Sequence, residues 1–237
     1  MAPKNLTFKI ILGSSSMARR KILADMGYEF ALMTADIDEK SIRKDNAEEL
    51  VVALAEAKAD AIMSRLKTTD HLKENTHPTL LITADTVALY QGIIREKPSS
   101  KEEARHFIKC YSGGQATVVG SVVVTNLTKG IRKGAWERSE VYFHDIPDEV
   151  IDSLIEEGII LNVAGGLMLE HPLTLPFVDT VVCLSFSLSL SLSLCSLELL
   201  IADLFILSLP NTLQIGTADS VMGLPRSLTE KLIQEAL

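Results

Sequence analysis

Apolar and polar positions change rhythm along the chain, and the changes mark its elements. "FKIILG" (residues 8–13) is a short apolar run ending in Gly, and "ARRKILADMGY" (18–28) then places Ile22, Leu23 and Met26 at helical spacing before Gly27. That predicts strand, polar turn, helix. "NAEELVVALAEAKADAIMSRLK" (46–67) predicts a long helix with Leu50, Ala53, Leu54, Ala57 and Ala61 on one stripe. "TLLITADTVALYQG" (79–92) predicts a buried strand entering a polar turn and then a second strand, with Gln91 and Gly92 forming a tight turn. "SKEEARHFIKCYSG" (100–113) predicts a helix capped by Ser99 or Ser100 and stopped by Gly113. Two strands follow in "ATVVGSVVVTNL" (116–127) and "GAWERSEVYFHDI" (134–146), then a helix opened by Pro in "PDEVIDSLIEEG" (147–158). Helices and strands mix without strict βαβ periodicity, which predicts an α/β or α+β domain on a mixed sheet.

One stretch breaks the texture. "SFSLSLSLSLCSL" (185–197) alternates Ser with Leu, and residues 181–209 carry only Glu198 and Asp203 as charges. This stretch contributes to the positive mean hydropathy of +0.22. The chain of 237 residues otherwise has soluble composition, with 47% hydrophobic and 23% charged residues. Its net charge of −8 argues against a nucleic-acid polymer or an anionic membrane as partner, since both call for clustered Lys and Arg. Cys110, Cys183 and Cys195 have no metal-ligand spacing and suggest no disulfide framework, which fits a reducing compartment. The amino-terminal apolar run is too short for a signal sequence and is followed by Arg and Lys, so a cytoplasmic or nuclear chain is expected.

An anionic ligand would need a local cluster, and "LGSSSMARRK" supplies one. Ser14 and Ser16 fall between a strand and a helix N-terminus, where backbone N–H groups favour an anion. Arg19 and Arg20 add two guanidinium forks in a first turn, where cations oppose the helix dipole. A serine cap followed by a solvated basic turn would explain the same residues. Asp85 follows an apolar run at the end of its predicted strand, and there either caps a turn or holds a divalent cation and a water. Lys97 precedes Pro98, so its backbone is extended and its ammonium could point back to Asp85. Glu39 and Lys58 are weaker candidates, each more often a surface residue than a ligand. Gly165 and Gly166 in "LNVAGGLMLEHP" permit close backbone approach to a ligand, although a bulge explains them equally.

With these residues assembled, the chain resembles the Maf family of nucleotide pyrophosphatases. "LGSSSMARRKIL", "ADTVALYQGIIREKP", "YSGGQATV", "VAGGLMLEHP" and "DSVMGLP" resemble its motifs in family order. The resemblance implies one domain over 1–237 of α/β class, an elongated mixed central sheet flanked by helices with a two-lobed cleft (Maf/ITPase-like), and often a homodimer. It also implies hydrolysis of a nucleoside triphosphate to the monophosphate and pyrophosphate with Mg²⁺ or Mn²⁺. Asp85 would then prepare the attacking water, with Lys97 and Lys58 as further catalytic groups and Glu39 with Asp85 on the metal. Ser14, Ser16, Arg19 and Arg20 would bind phosphates, and Thr86 and Glu170 would contact substrate.

Ala18, Thr86 and Glu170 bear on base choice. A branch acting on dTTP and UTP resembles Ser-x-Ser-Pro-Arg-Arg, Ala-Asp-Thr and a base-reading Gln. Another, acting on 7-methyl-GTP, resembles Ser-x-Ser-Pro-Trp-Arg-Arg, Ser-Asp-Gln and a Glu. This chain has the longer serine-to-arginine spacing, with Met17 and Ala18 replacing Pro and Trp, yet carries Thr86 and Glu170. A Glu offers only acceptors, which match the N1–H and N2–H₂ edge of guanine, so the lean is to the guanine type.

Removing Val182 to Gln214 joins "PFVDTV" to "IGTADSVMGLP" and restores the family's short connection. Alternating Ser and Leu is what a repeated TC dinucleotide encodes, so this low-complexity insert is read as a retained intron translated in frame, giving an impaired isoform. Two alternatives compete for it: a membrane span over 182–209 and a half-buried strand. For the whole protein, the rivals are a non-catalytic nucleotide-binding or cell-division regulatory protein and a membrane-anchored interaction protein.

Overall fold

The computed structural model describes residues 7–68, 77–186 and 218–237, with side chains described up to 183 in the second span. Seven strands make one mixed sheet: β1 (Lys9–Leu12), β2 (Ala31–Leu32), β3 (Thr79–Tyr90), β4 (Ile93–Arg95), β5 (Gln115–Asn126), β6 (Ile131–Phe143) and β7 (Val178–Phe186). Their order is β2-β1-β3-β5-β6-β7, with β4 folded back onto β3 along the edge that also carries β1. β1 runs parallel to β2 and β3, and every other pairing is antiparallel. The strands β3, β5 and β6, of 12, 12 and 13 residues, give the sheet its elongation, about 40 Å at the usual strand rise.

The helices are α1 (Met17–Asp25), α2 (Ala47–Thr68), α3 (Lys101–Tyr111), α4 (Asp148–Glu157), α5 (Ala218–Val221) and α6 (Arg226–Ala236). Local chemistry fixes their ends. Ser100 caps α3 by accepting from the Glu103 N–H while the Glu103 carboxylate accepts from Ser99. Gly158, at φ 74°, closes α4 in the left-handed region. One face of the sheet is covered by α2, where Leu50, Val51 and Leu54 pack on Val87 and Val119. The opposite face meets α1 and α6, with Ile22, Leu23, Leu228 and Leu232 packed on Ile82, Val122 and Val124.

Two sequence expectations need correction. β3 does not end before Asp85: it continues unbroken from Thr79 to Tyr90, because β5 pairs with every residue from Leu80 to Leu89. A polar "ADT" thus stays extended inside a ladder. The buried stripe of α2 is also rotated from the alanine stripe, running through Leu50, Val51, Leu54, Ala55, Ile62 and Leu66, while Ala53, Ala57 and Ala61 are half-buried. Branched side chains bury more apolar area than Ala, so they take the sheet-facing side. Lys58, four residues from both Leu54 and Ile62, shares that side.

The opening that matters lies on one edge of β3. The β1 ladder ends at Leu12↔Ile82, and the β4 ladder begins at Ala88↔Arg95. Between them, residues 83–87 have β5 on one side and, among the described residues, no strand on the other. This interruption separates a lobe built on β1, β2, α1 and α6 from one built on β4, α3 and α4.

Val182 to Phe186, the first residues of the expected insert, continue β7 and pair with Glu140 to Trp136 of β6. The remainder of that segment, and with it most of the Ser-Leu alternation, the intron reading and the membrane alternative, lies outside the described residues. Among the described residues no helix is long and apolar enough to cross a membrane.

Candidate active site

Strand alternation sorts the residues of β3 between two faces. Leu81, Thr83, Asp85 and Val87 face α2, whereas Ala84 and Thr86 face α1 and the carboxy-terminal segment. On the α2 side the helix is fastened by two buried hydroxyls: Thr83 Oγ1 donates to the Ala55 carbonyl (2.8 Å) and Ser121 Oγ to that of Val51 (2.7 Å). Lys58 is thereby set over Asp85, its Nζ 2.5 Å from Oδ1. The same Nζ lies 2.8 Å from Glu39 Oε1, presented by a 3₁₀ turn at Glu39–Ser41 that Asp38 caps. One ammonium therefore bridges two carboxylates. Lys58 and Asp85 are nearly buried, with side chains 12% and 10% exposed, while Glu39 at 44% opens to solvent. Burial works to raise the Glu39 carboxyl, but the hydrogen bond and charge of Lys58, joined by the charges of Lys97 and Arg19, outweigh it and hold Glu39 below its ordinary value.

Beyond β1, Ser14 is buried and Ser16 caps α1 by accepting from the Arg19 N–H. Ser14 Oγ accepts from the Ser16 N–H at 3.2 Å. Both oxygens accept internally, which leaves their O–H groups as donors. The adjacent arginines differ. Arg19 donates from Nε to the Gly223 carbonyl, from Nη1 to the Ala84 carbonyl and from Nη2 to Thr86 Oγ1, each at 2.9 Å. Burial pulls its guanidinium down from the ordinary arginine value, against the charges of Asp85 and Glu39. Arg20 instead has its Nε buried without an acceptor and, among the described residues, reaches the Met17 sulfur, at 3.8 Å. Ala18 is half-buried on the same turn.

Lys97 is exposed just after β4, close enough for its charge to act on Glu39. The Arg43–Glu96 ion pair (3.4 Å) ties its segment to the one carrying Glu39. The Gly165-Gly166 turn closes onto the same place: the Gly165 N–H donates to the Glu96 carbonyl (2.9 Å), and a Cβ on Gly165 would stand 2.4 Å from that of Ala88. Glu170, exposed, follows that turn, and the buried His171 beside it is paired with Glu157 at 2.8 Å. Lys58 thus joins Asp85 and Glu39, the charges of Lys97 and Arg19 reach Glu39, and Arg19 is bonded to Thr86, which points to the opposite face of the sheet from Asp85. Sequence reasoning gave no role to Gly223, Thr83 or Ser121. The last two carried a signal, as hydroxyl residues set against the apolar runs of β3 and β5.

The donor set suits a hard divalent cation. Among the described residues no three His, Cys, Asp or Glu side chains gather for a metal. Glu39 and Asp85 do converge on one cationic atom, and Mg²⁺ is commonly held by one or two carboxylates with phosphates and waters completing its shell.

A mixed α/β sheet interrupted at an acid–lysine triad, with hydroxyl and guanidinium donors beside it, defines a protein built to handle an anionic, phosphate-like ligand. The family model described as Maf-like protein matches residues 9–203, and the chain belongs to that family. It is 34% identical over 227 residues to a 7-methyl-GTP pyrophosphatase of Dictyostelium discoideum, covering 95% of this chain and 96% of that one. It is 31% identical over 177 residues to a nucleoside triphosphate pyrophosphatase of Salinispora tropica (75% and 76% covered) and 29% over 174 residues to a dTTP/UTP pyrophosphatase of Alkaliphilus metalliredigens (73% and 85%).

Proposed function

We propose that the protein hydrolyses a nucleoside triphosphate between its α and β phosphates, using a divalent cation, Mg²⁺ or Mn²⁺. The observation that carries this reading is the Lys58 ammonium held between Asp85 and Glu39 at the open edge of β3, in a chain of the Maf family. Asp85 accepts the proton of the attacking water, and Lys58, Lys97 and Arg20 neutralise charge on the leaving pyrophosphate, with the Ser14 and Ser16 hydroxyls donating to phosphate oxygens. Glu39 and Asp85 hold the cation, which when bound supplies Lewis-acid stabilisation to the phosphates. The similarity over nearly the whole chain to a protein named 7-methyl-GTP pyrophosphatase supports the guanine preference read from Glu170. The family likeness also motivates a cytoplasmic homodimer.

Pyrophosphate release measured with 7-methyl-GTP, GTP, dTTP and UTP, with and without Mg²⁺ or Mn²⁺, tests this reading. Metal-dependent release, greatest with 7-methyl-GTP, is expected. A dTTP or UTP preference overturns the base assignment, and no release from any of them overturns the activity.

A further inference from the structure

Two neighbouring arginines emerge from the first turn of α1, and the structure treats them oppositely. A guanidinium has five N–H donors in a rigid fork. Arg19 spends its fork on three acceptors from two remote parts of the chain: the Ala84 carbonyl on the open edge of β3 with the Thr86 hydroxyl of the same strand, and the Gly223 carbonyl after α5. A fourth, longer contact at 3.4 Å reaches Ser14 Oγ. Gly223 is shaped for this approach. Its φ is +88°, and a Cβ there would stand 2.5 Å from Thr86 Oγ1 and 3.2 Å from Arg19 Nε. Arg20, one residue on, has no oxygen acceptor among the described residues: its Nε is buried without a partner, and its exposed Nη1 reaches the Met17 sulfur.

We infer that Arg19 is a positioning residue that clips the segment 219–225 onto the open edge of β3, that Thr86 belongs to this clip, and that Arg20 is the arginine that meets phosphate. This deepens the pyrophosphatase reading and rests on it for the identity of the anion. Among the described residues the edge of β3 between β1 and β4 has no strand to satisfy it, so a fork donating to Ala84 replaces one rung of the missing ladder. The same fork then fixes where α5 and its following turn sit against the strand that carries Asp85. Thr86 lies on the face away from Asp85, so its influence on substrate choice runs through the position of 219–225.

Full-length Arg19→Lys, Thr86→Val and Arg20→Met are compared with the wild type in three measurements: inorganic triphosphate binding by calorimetry, kcat and KM for the best nucleotide, and hydrogen exchange of the 218–225 peptide. For Arg19→Lys, triphosphate affinity should stay within about threefold while kcat falls about tenfold at nearly constant KM. Exchange should accelerate in 218–225 and not in β5. Arg20→Met should weaken triphosphate binding about tenfold and leave exchange unchanged. Should Arg19→Lys fold poorly, Thr86→Val, which removes one acceptor isosterically, must show the same exchange signature more weakly. The inference is overturned if Arg19→Lys loses triphosphate affinity as Arg20→Met does while 218–225 stays protected, or if neither clip variant alters exchange there. If the wild type binds triphosphate but turns over no nucleotide, the activity reading fails and the binding and exchange comparison still decides the clip. If it binds none, exchange alone decides it.

Discussion

Asp85 and Thr86 are consecutive residues of one strand and serve opposite faces of the sheet. On the α2 face, Asp85, Lys58 and Glu39 form a charged triad graded from nearly buried to half open. Its ionic partners can be exchanged for an incoming cation or phosphate without unmaking any backbone hydrogen bond. On the other face, Thr86, Arg19 and Gly223 also place a charge beside polar atoms, but the partners are mostly backbone carbonyls. That charge closes the architecture. Two clusters of similar composition thus differ in whether their donors and acceptors are spent on side chains or on main chain, the difference on which the proposed chemistry and the proposed clip rest.

The largest effect that separates the two faces is expected at Asp85. Asp85→Asn removes the proton acceptor while preserving shape, and kcat should fall about 10²- to 10⁴-fold with inorganic triphosphate still bound. Lys58→Met on the same face leaves two carboxylates without their shared cation. It should cost about 1–3 kcal/mol in urea unfolding, toward the low side because Glu39 is half open to water. A catalytic decrease of similar size for Asp85→Asn and for a scaffold variant would erase the distinction.

On the scaffold face, Gly223→Ala should act mainly on stability. An alanine at φ +88° is strained, and its methyl would meet the Thr86 hydroxyl at 2.5 Å, so a loss of about 1–3 kcal/mol is expected. Unfolding midpoints by urea measure it. A variant as stable as the wild type would mean that the turn is free to move away from β3, contrary to the clip.

Much of this organisation could be read from sequence, and the failures have one physical origin. Helix ends were legible because caps are local: Ser100 with Glu103, Pro147, Gly158 and the serine cap of α1 lie within a few residues of what they satisfy. The odd status of the arginines was legible as well, since cations at a helix N-terminus oppose its dipole. Their division of labour was not, because Gly223 lies 204 residues from Arg19. β3 was expected to turn at "ADT" because Asp and Thr suggest turns locally, whereas the ladder with β5 that keeps them extended is long-range. Lys58 was a weak candidate from the residues alone and entered the site only through the family resemblance, and the stripe drawn through small alanines gave it no sheet-facing position. Drawn through Val51, Leu54 and Ile62, the same spacing carries Lys58 onto the sheet, a signal available in the residues themselves.

The smallest predicted effect tests the scaffold face at a second acid. Strand alternation puts Glu137 of β6 on the same side as Ala135, Ser139 and Val141, and the residue is 8% exposed. One carboxylate oxygen, Oε1, has no partner among the described residues. Burial pushes its carboxyl up, and the charge of Asp219 adds to the rise, partly offset by hydrogen bonds from Ser220 and Cys183. A carboxyl raised by folding favours the native state below its unfolded value, near pH 4.3, and loses that contribution as pH climbs through the folded value. Above that range the wild type holds a poorly solvated charge. Glu137→Gln removes the ionisation at nearly constant shape, so its melting temperature should exceed the wild type's by about 1–3 °C at pH 8, with the gap shrinking toward pH 4. Thermal scans of both proteins across that range measure the gap. A difference independent of pH would mean that Glu137 titrates alike folded and unfolded, and that its burial beside Asp219 places no electrostatic cost on the scaffold face, in contrast to Asp85, whose charge is matched by Lys58.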